Sequence, residues 1–324
     1  ISGTTTICQN SAAPDITFTG GGGTPPYTFT YNLNGGPDQT VTTTSGNSIT
    51  VTVPTATAGT FMYNLVSVQD ASSTTCSQLQ GGSATVIVNP LPTAAIAGTI
   101  SVCQNVASPN VTFTGSSATP PYTFTYSING GGDLTVTTTS GNSATVAVPT
   151  DVAGTFTYNL IKVQDAGSTT CSQLQTGTAT VTVNPLPTAT IAGTTTVCQN
   201  STPTGITFTG GSATAPYTFT YNINGGANQT VTTTSGSSIT ISAPTNNTGT
   251  FIYNLVSVQD ASSTTCSRMQ AGSATITVNP LPTATVSGTT TICQNSAAPD
   301  ITFTGGSATA PYTFTYNING GPEQ

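Results

Sequence analysis

The sequence predicts an all-β protein built from tandem sandwich domains of about 95 residues, and three observations support this fold class. The segment TVIVNPLPTAAIAG at 85–98 returns as TVTVNPLPTATIAG at 180–193 and as TITVNPLPTATVSG at 275–288. Within each copy, Thr alternates with apolar residues over short segments, which is the pattern of half-buried strands. No segment combines a helical period with a helix cap, and the abundant Thr, Val, Tyr and Phe favour strands.

The strands can be assigned in order along the first copy. The segment ITFTG at 16–20 alternates apolar residues with Thr, and YTFTYNLN at 27–34 places Tyr27, Phe29 and Tyr31 on one face. Two further strands follow, QTVTTT and SITVTVP, and the copy ends with the strands GTFMYNLVSVQD and GSATVIVNP. About seven short strands in such a length are typical of an immunoglobulin-like sandwich, so we expect these domains in an extended array.

Two turns are predicted between these strands. Asn34 and Gly35 tolerate positive φ and therefore predict a tight hairpin. Ser45, Gly46 and Asn47 separate QTVTTT from SITVTVP and predict a second hairpin.

One strand of each copy contains an irregularity. Phe61, Tyr63 and Leu65 alternate with polar residues, but the next apolar pair is Val66 and Val68. The position between that pair is polar or charged in all three copies, so it should face water. A slip of one residue in the apolar phase predicts a β-bulge at 65–66, and a kinked register is the alternative.

The aromatic residues all fall on the apolar phase of predicted strands. The 22 Phe and Tyr residues occupy six positions per copy, so we expect core side chains and not an exposed platform for sugars. One of these aromatic residues, Tyr63, is also a candidate for a tyrosine corner. In the first copy these positions are Phe18, Tyr27, Phe29, Tyr31, Phe61 and Tyr63.

The repeat interval divides the chain into four parts. Complete copies are predicted at 1–90, 91–185 and 186–280, and 281–324 is the N-terminal part of a fourth copy. A partial copy exposes the apolar face of its strands. We therefore expect the natural molecule to continue beyond Gln324, and strand donation by another chain is the alternative.

Composition excludes several classes of partner. Charged residues form 3% of the chain, with two Lys+Arg, nine Asp+Glu, no His and a net charge of −7. Lys162 and Arg268 cannot form the basic stripe that a nucleic acid needs. No stretch approaches the ~20 apolar residues of a membrane helix, so no membrane insertion is expected in this segment.

The cysteines occur at two positions per copy. Their spacing is the same within each complete copy, which favours one disulfide per copy and an oxidising compartment. Buried thiols are the alternative, and a metal site is disfavoured because single cysteines without His cannot complete a tetrahedral set. The predicted pairs are Cys8–Cys76, Cys103–Cys171 and Cys198–Cys266, with Cys293 unpaired in this segment.

A proline-flanked leucine recurs at every predicted domain boundary. The prolines restrict their own φ and extend the residues before them, so we expect a stiff joint. The leucine is placed to wedge between neighbouring domains. The three joints are Pro90-Leu91-Pro92, Pro185-Leu186-Pro187 and Pro280-Leu281-Pro282.

The residues needed for catalysis are missing from the repeats. Without His there is no Ser or Cys triad, and only one acidic position recurs, at Asp70, Asp165 and Asp260. A lone Asp in VQDASS is typical of a turn closed by its side chain, with calcium binding as the alternative. We predict no enzyme activity, no cofactor and no metal site.

The residues resemble a known type of repeat. CQNS, ITFTG, PYTFTYNINGG, GTFTYNL, VQDASSTTCSQ and ATVTVNPLPTATI together are similar to PKD-like or Ig-like repeats of giant cell-surface proteins in Bacteroidota. Those proteins include SprB-type gliding-motility adhesins exported by the type IX secretion system. The resemblance covers the whole chain, although YTFTYNLNGG replaces the acidic signature of true PKD domains.

The resemblance implies an extracellular filament at the cell surface. The predicted function is a structural stalk segment of a long surface adhesin, acting in attachment or gliding. Its partners would be neighbouring repeats of the same chain, or other copies of the chain in a fibre. The alternative is an array of weak glycan- or partner-binding sites that gains strength by avidity.

Overall fold

The computed structural model describes residues 1–324, which form 27 strands. The chain folds into two compact units, Ile1–Ile100 with Val106–Thr182, and Ser101–Asn105 with Val183–Gln324. None of its segments is a helix long and apolar enough to cross a membrane. The four repeat boundaries stay a prediction, because the compact units divide the chain at other points.

The strands recur in the same order along the chain. The first copy contains β1 (Thr5–Cys8), β2 (Asp15–Thr19), β3 (Thr28–Leu33), β4 (Asp38–Thr42), β5 (Ser48–Thr52), β6 (Gly59–Gln69), β7 (Ser77–Leu79) and β8 (Ser83–Asn89). The second contains β9 (Thr93–Ala97), β10 (Ile100–Cys103), β11 (Asn110–Ser116), β12 (Thr123–Ile128), β13 (Leu134–Thr137), β14 (Ser143–Ala147), β15 (Gly154–Gln164), β16 (Ser172–Leu174) and β17 (Thr178–Asn184). The third contains β18 (Thr188–Ala192), β19 (Thr195–Cys198), β20 (Thr204–Gly211), β21 (Thr218–Ile223), β22 (Gln229–Thr232), β23 (Ser238–Ala243), β24 (Gly249–Gln259) and β25 (Ser267–Asn279). The last part contains β26 (Thr283–Ser287) and β27 (Thr302–Gly306).

Each complete copy has a larger and a smaller sheet. The larger sheets have the orders β1-β8-β6-β3-β4, β10-β17-β15-β12-β13 and β19-β25-β24-β21-β22, with β7 and β16 also paired to β6 and β15. The smaller sheets are β2-β5, β14-β11-β9 and β18-β20-β23. The pairs β1–β8 and β19–β25 are parallel, whereas the pairs β3–β4 and β6–β8 are antiparallel. Two facing sheets of short strands confirm the predicted all-β, immunoglobulin-like class.

The turn predictions have different outcomes. Asn34 and Gly35 have φ values of 54° and 73°, which confirms the tight hairpin between β3 and β4. The second predicted hairpin, at residues 45–47, is wrong. Strand β5 leaves the sheet of β4 and pairs with β2, where Ile49 lies opposite Phe18. Polar turn residues indicate that the chain reverses, but they do not specify which sheet the next strand joins.

The predicted bulge is confirmed. Thr30 lies opposite Ser67 and Tyr31 opposite Leu65, so Val66 is the extra residue in β6. The same shift occurs in the other two copies, where β12 and β21 pair with β15 and β24. The bulge allows Tyr63, Leu65 and Val68 of this long strand to face the same core.

The aromatic residues of the three complete copies form the core, as predicted, whereas Tyr316 in the last part is 39% exposed. In the first copy, five of the six are buried and Phe61 is partly buried against them. Phe18 contacts Tyr31 and Phe29 at ring-centroid distances of 5.0 and 5.6 Å. The sequence predicts the tyrosine corner at Tyr63, but the tyrosine whose hydroxyl closes a loop here is Tyr27. Its hydroxyl donates a hydrogen bond to the Gly23 carbonyl at 2.7 Å.

Candidate functional site: the disulfide junction between copies

The first half of the junction is the end of strand β1. Because β1 runs parallel to β8, Cys8 lies opposite Asn89, the last residue before the Pro90–Pro92 joint. The Gln9 amide donates to the Asn89 carbonyl at 2.8 Å, which holds the two strand ends together. One cysteine and one asparagine are therefore presented side by side at the end of the sandwich where the chain leaves the copy.

The second half is a short loop that we call the Asp–Cys loop, residues 70–76, 165–171 and 260–266. In the first copy, Asp70 accepts hydrogen bonds from the Cys76 amide at 2.9 Å and the Ser72 hydroxyl at 2.7 Å. The Thr24 amide donates to its other oxygen at 3.2 Å. These hydrogen bonds hold the pKa of Asp70 below its ordinary value, and the bond from the Ser72 hydroxyl has the largest effect. The recurring Asp thus organises the loop in this copy, as the sequence predicts.

The same Asp is more buried in the next two copies. Asp165 and Asp260 are each 5% exposed. The Asp260 carboxylate accepts a bond from the Ser262 hydroxyl at 2.9 Å. One oxygen of each carboxylate, Oδ1 of Asp165 and Oδ2 of Asp260, is buried without a hydrogen-bond partner.

A disulfide joins the two halves across consecutive copies. Cys8 is bonded to Cys171, with their Cα atoms 5.6 Å apart and a sequence separation of 163. Cys103 is bonded to Cys266 with the same Cα distance and separation. Closing a loop of this length stabilises the folded state by about 5 kcal/mol in the chain-entropy model. Each bond links the end of one copy to the Asp–Cys loop of the next.

A threonine completes the first junction. The Thr169 hydroxyl accepts a hydrogen bond from the Asn89 side-chain amide at 3.0 Å. Its oxygen lies 3.5 Å from the sulfur of Cys8 and 3.2 Å from that of Cys171. One hydroxyl therefore contacts both sulfurs and the asparagine that precedes the joint.

The second junction repeats this geometry. The Asn184 side-chain amide donates to the Thr264 hydroxyl at 2.9 Å. The Thr264 oxygen lies 3.4 Å from the sulfur of Cys103 and 3.1 Å from that of Cys266. The same residue types in the same arrangement show that the junction is a property of the repeat.

The predicted pairs Cys8–Cys76, Cys103–Cys171 and Cys198–Cys266 are wrong. Cys8 lies beside Asn89 near the start of β6, whereas Cys76 follows the end of that strand. The 11 residues of β6 separate the two positions by roughly 30 Å at ~3.3 Å per residue. A disulfide requires Cα atoms within about 7 Å, so a pair inside one copy cannot close.

Three cysteines are free, namely Cys76, Cys198 and Cys293. All three are exposed, whereas Cys171 and Cys266 in the bonded Asp–Cys loops are each 1% exposed. A cleft of about 290 Å³ lies beside Cys76 and is lined by Gly22, Tyr27 and Asp70. In the second copy the counterpart of Cys76 is Cys171, which is bonded to Cys8 of the first copy. The cleft beside Cys76 therefore corresponds to the place where the disulfide between copies lies in the second copy.

The three proline-flanked joints lie between the last strand of one copy and the first strand of the next. Residues 90–92 separate β8 from β9, and the corresponding prolines and leucines separate β17 from β18 and β25 from β26. The buried residues are the second prolines, Pro92 and Pro187, whereas Leu91 and Leu186 are half-buried and Leu281 is 45% exposed. The second proline is therefore more buried than the leucine in the first two joints, and the wedge expected of the leucines stays a prediction. The stiffness of the joints stays a prediction.

Sequence reasoning missed the polar partners of the disulfides. Asn89 and Asn184 precede the joints, and Thr169 and Thr264 stand two residues before a cysteine. Both types recur at the repeat interval, which is a signal that could have identified them.

Comparisons with known proteins yield structural likeness only. The sequence matches no protein-family description and no curated protein. A calcium-stabilised adhesin with which an Antarctic bacterium binds ice is 18% identical, with a TM-score of 0.38, covering 89% of this chain and 77% of that one. A three-domain immunoglobulin segment of titin is 13% identical, with a TM-score of 0.47, covering 86% and 96%. A tetra-tandem repeat from the extending region of a large adhesion protein is 16% identical, with a TM-score of 0.30, covering 89% and 77%.

Proposed function

We propose that this chain is a segment of the structural stalk of an extracellular bacterial surface adhesin. The observation that carries the proposal is the repeated junction, in which one disulfide bonds the first copy to the second and another bonds the second copy to the third. Each bond adds a second covalent connection between consecutive domains beside the backbone, which suits a segment that carries load. Disulfides also form and persist in oxidising, extracellular compartments.

The surface composition supports a passive role. Outward strand positions carry mostly Thr, and the recurring aromatic residues lie in the core. The recurring Asp is engaged in its own loop in the first copy. We therefore assign the segment no catalytic activity.

We further propose that the parent protein is a SprB-type gliding-motility adhesin of Bacteroidota exported by type IX secretion, on the basis of the sequence resemblance.

The stalk proposal is tested in the organism that encodes the chain. Immunogold labelling of intact cells with an antibody against the repeat should decorate surface filaments. Deletion of one complete copy, residues 91–185, should shorten the filaments and leave attachment of cells to a surface in flow nearly unchanged. If attachment falls in proportion to the copies removed, the repeats are binding sites acting by avidity. If the antigen is found only inside cells, the stalk proposal is wrong.

A further inference from the structure

The two disulfides enclose overlapping parts of the chain. The first closes a ring from Cys8 to Cys171, and the second closes a ring from Cys103 to Cys266. The stretch from Cys103 to Cys171 therefore belongs to both rings. Two pairs inside separate copies would instead have produced two independent rings.

Overlap changes how tension is transmitted. Three covalent segments connect one disulfide to the other, namely residues 8–103, 103–171 and 171–266. A pull on the ends of the chain is shared by these three segments in parallel. The shortest of them, 103–171, becomes taut first, so each of the two longer segments keeps roughly 90 Å of slack at 3.3–3.6 Å per residue.

We propose that the overlapping disulfides act as a strain limiter, which restricts extension of the chain under tension and prevents complete unfolding of the linked copies. The proposal rests on the stalk function, because a stalk between a cell and a surface carries tension. Each of the three segments contains most of one copy, so lengthening the bonded region requires all three copies to yield together.

The surroundings of the bonds suit a permanent cross-link. Cys171 and Cys266 are each 1% exposed, and their partners Cys8 and Cys103 are partly buried. Thiol–disulfide exchange needs a thiolate to reach one of the sulfurs, so burial slows it. The free cysteines at 76, 198 and 293 are exposed and can be replaced without removing either disulfide.

Single-molecule force spectroscopy of the full chain tests the proposal. The chain is held at its two termini through non-thiol attachments, in a background in which Cys76, Cys198 and Cys293 are replaced by Ser. With both bonds intact, the shortest covalent route between the termini runs through residues 1–8, 103–171 and 266–324 only. The reduced chain runs through every residue, so reduction should lengthen the fully extended chain by roughly 650 Å at 3.3–3.6 Å per residue.

Single-bond variants provide the decisive comparison. Removing one bond, with Cys8→Ser and Cys171→Ser or with Cys103→Ser and Cys266→Ser, should lengthen the extended chain by only roughly 90 Å. Removing both should lengthen it by roughly 650 Å, far more than the two single effects together. Contour length does not depend on how well a variant folds, so loss of stability leaves the measurement interpretable.

Two outcomes would overturn the strain limiter. A gain of roughly 230 Å on removing the first bond would show a ring inside the second copy, Cys103–Cys171, because that is the extended length of residues 103–171 and the only pair inside one copy that this background allows. An oxidised chain that extends as far as the reduced chain would show that the bonds do not limit extension. Neither result bears on whether the antibody finds the repeat on surface filaments, so failure of the limiter and failure of the stalk proposal are distinguishable.

Discussion

The Gly20→Ala substitution should destabilise the first sandwich strongly, although it adds only one methyl group. A Cβ atom at Gly20 would lie 2.5 Å from Cγ of Tyr27 and within 2.8 Å of both Cδ atoms. The Tyr27 ring is 4% exposed and cannot withdraw without breaking the bond between its hydroxyl and the Gly23 carbonyl. Overpacking costs about 1–3 kcal/mol and the lost hydrogen bond about 1 kcal/mol, so we expect about 2–4 kcal/mol in total.

The next residue supplies a matched control. A Cβ atom at Gly21 would have no heavy atom within 4 Å, so Gly21→Ala should change the free energy of unfolding by less than about 0.5 kcal/mol. Both substitutions replace glycine by alanine in the same loop. Any difference between them therefore reports the contact with Tyr27 and not the general cost of replacing glycine.

Hydrogen exchange measured by mass spectrometry on the whole chain separates the two variants. For Gly20→Ala, amides of β3 should exchange roughly 30- to 700-fold faster, since each 1.4 kcal/mol is a factor of ten. The corresponding strand of the third copy, β21, is an internal reference and should not change. Equal exchange in β3 of the two variants would refute the reasoning, because it would mean that the ring moves aside without cost.

Three further predictions concern the loop, the junction and calcium. Because the pKa of Asp70 is lowered from its ordinary value of 3.8, the carboxylate stabilises the Asp–Cys loop fully at any pH above 3.8. This stabilisation is lost as the pH falls through the lower pKa of the folded state. The amide NMR signal of Cys76 should therefore titrate at that lower pH in the wild type and should not titrate in Asp70→Asn. Thr169→Val should destabilise the first junction by about 1 kcal/mol through loss of the Asn89 bond, seen as faster exchange in residues 165–171 with an unchanged mass of the disulfide-linked peptides. Millimolar calcium should shift the Tm of the chain by no more than about 1 °C, because no group of three or more acidic or cysteine side chains converges on one point; a rise of many degrees would contradict the structural role of the recurring Asp.

Much of the sandwich could be predicted from local patterns. The alternation of Phe18, Phe29 and Tyr31 with Thr identifies the core face, because successive strand residues point to opposite faces. The slip at Val66 identifies the bulge by the same rule. These features depend only on residues that are close in sequence, so one copy suffices to recognise them.

The junction could not be predicted in the same way. A constant spacing between Cys8 and Cys76 is compatible with a bond inside a copy, whereas the equally constant spacing between Cys8 and Cys171 is compatible with a bond between copies. The choice depends on which end of the sandwich each cysteine occupies, and hence on the parallel pairing of β1 with β8. The same holds for the turn at residues 45–47, which leads into the other sheet. Both errors concern long-range pairing, which the alternation of residues does not encode.

The placement of one bonded cysteine at each end of the repeat has a genetic consequence. Nearly identical copies are prone to recombination that removes or adds one whole copy. Loss of residues 96–190 would bring Cys266 into the position that Cys171 holds relative to Cys8, so the next bond could form without any compensating mutation. Loss of part of a copy that includes one bonded cysteine would leave its partner unpaired. Gain or loss of one complete repeat therefore preserves the spacing of the bonded cysteines.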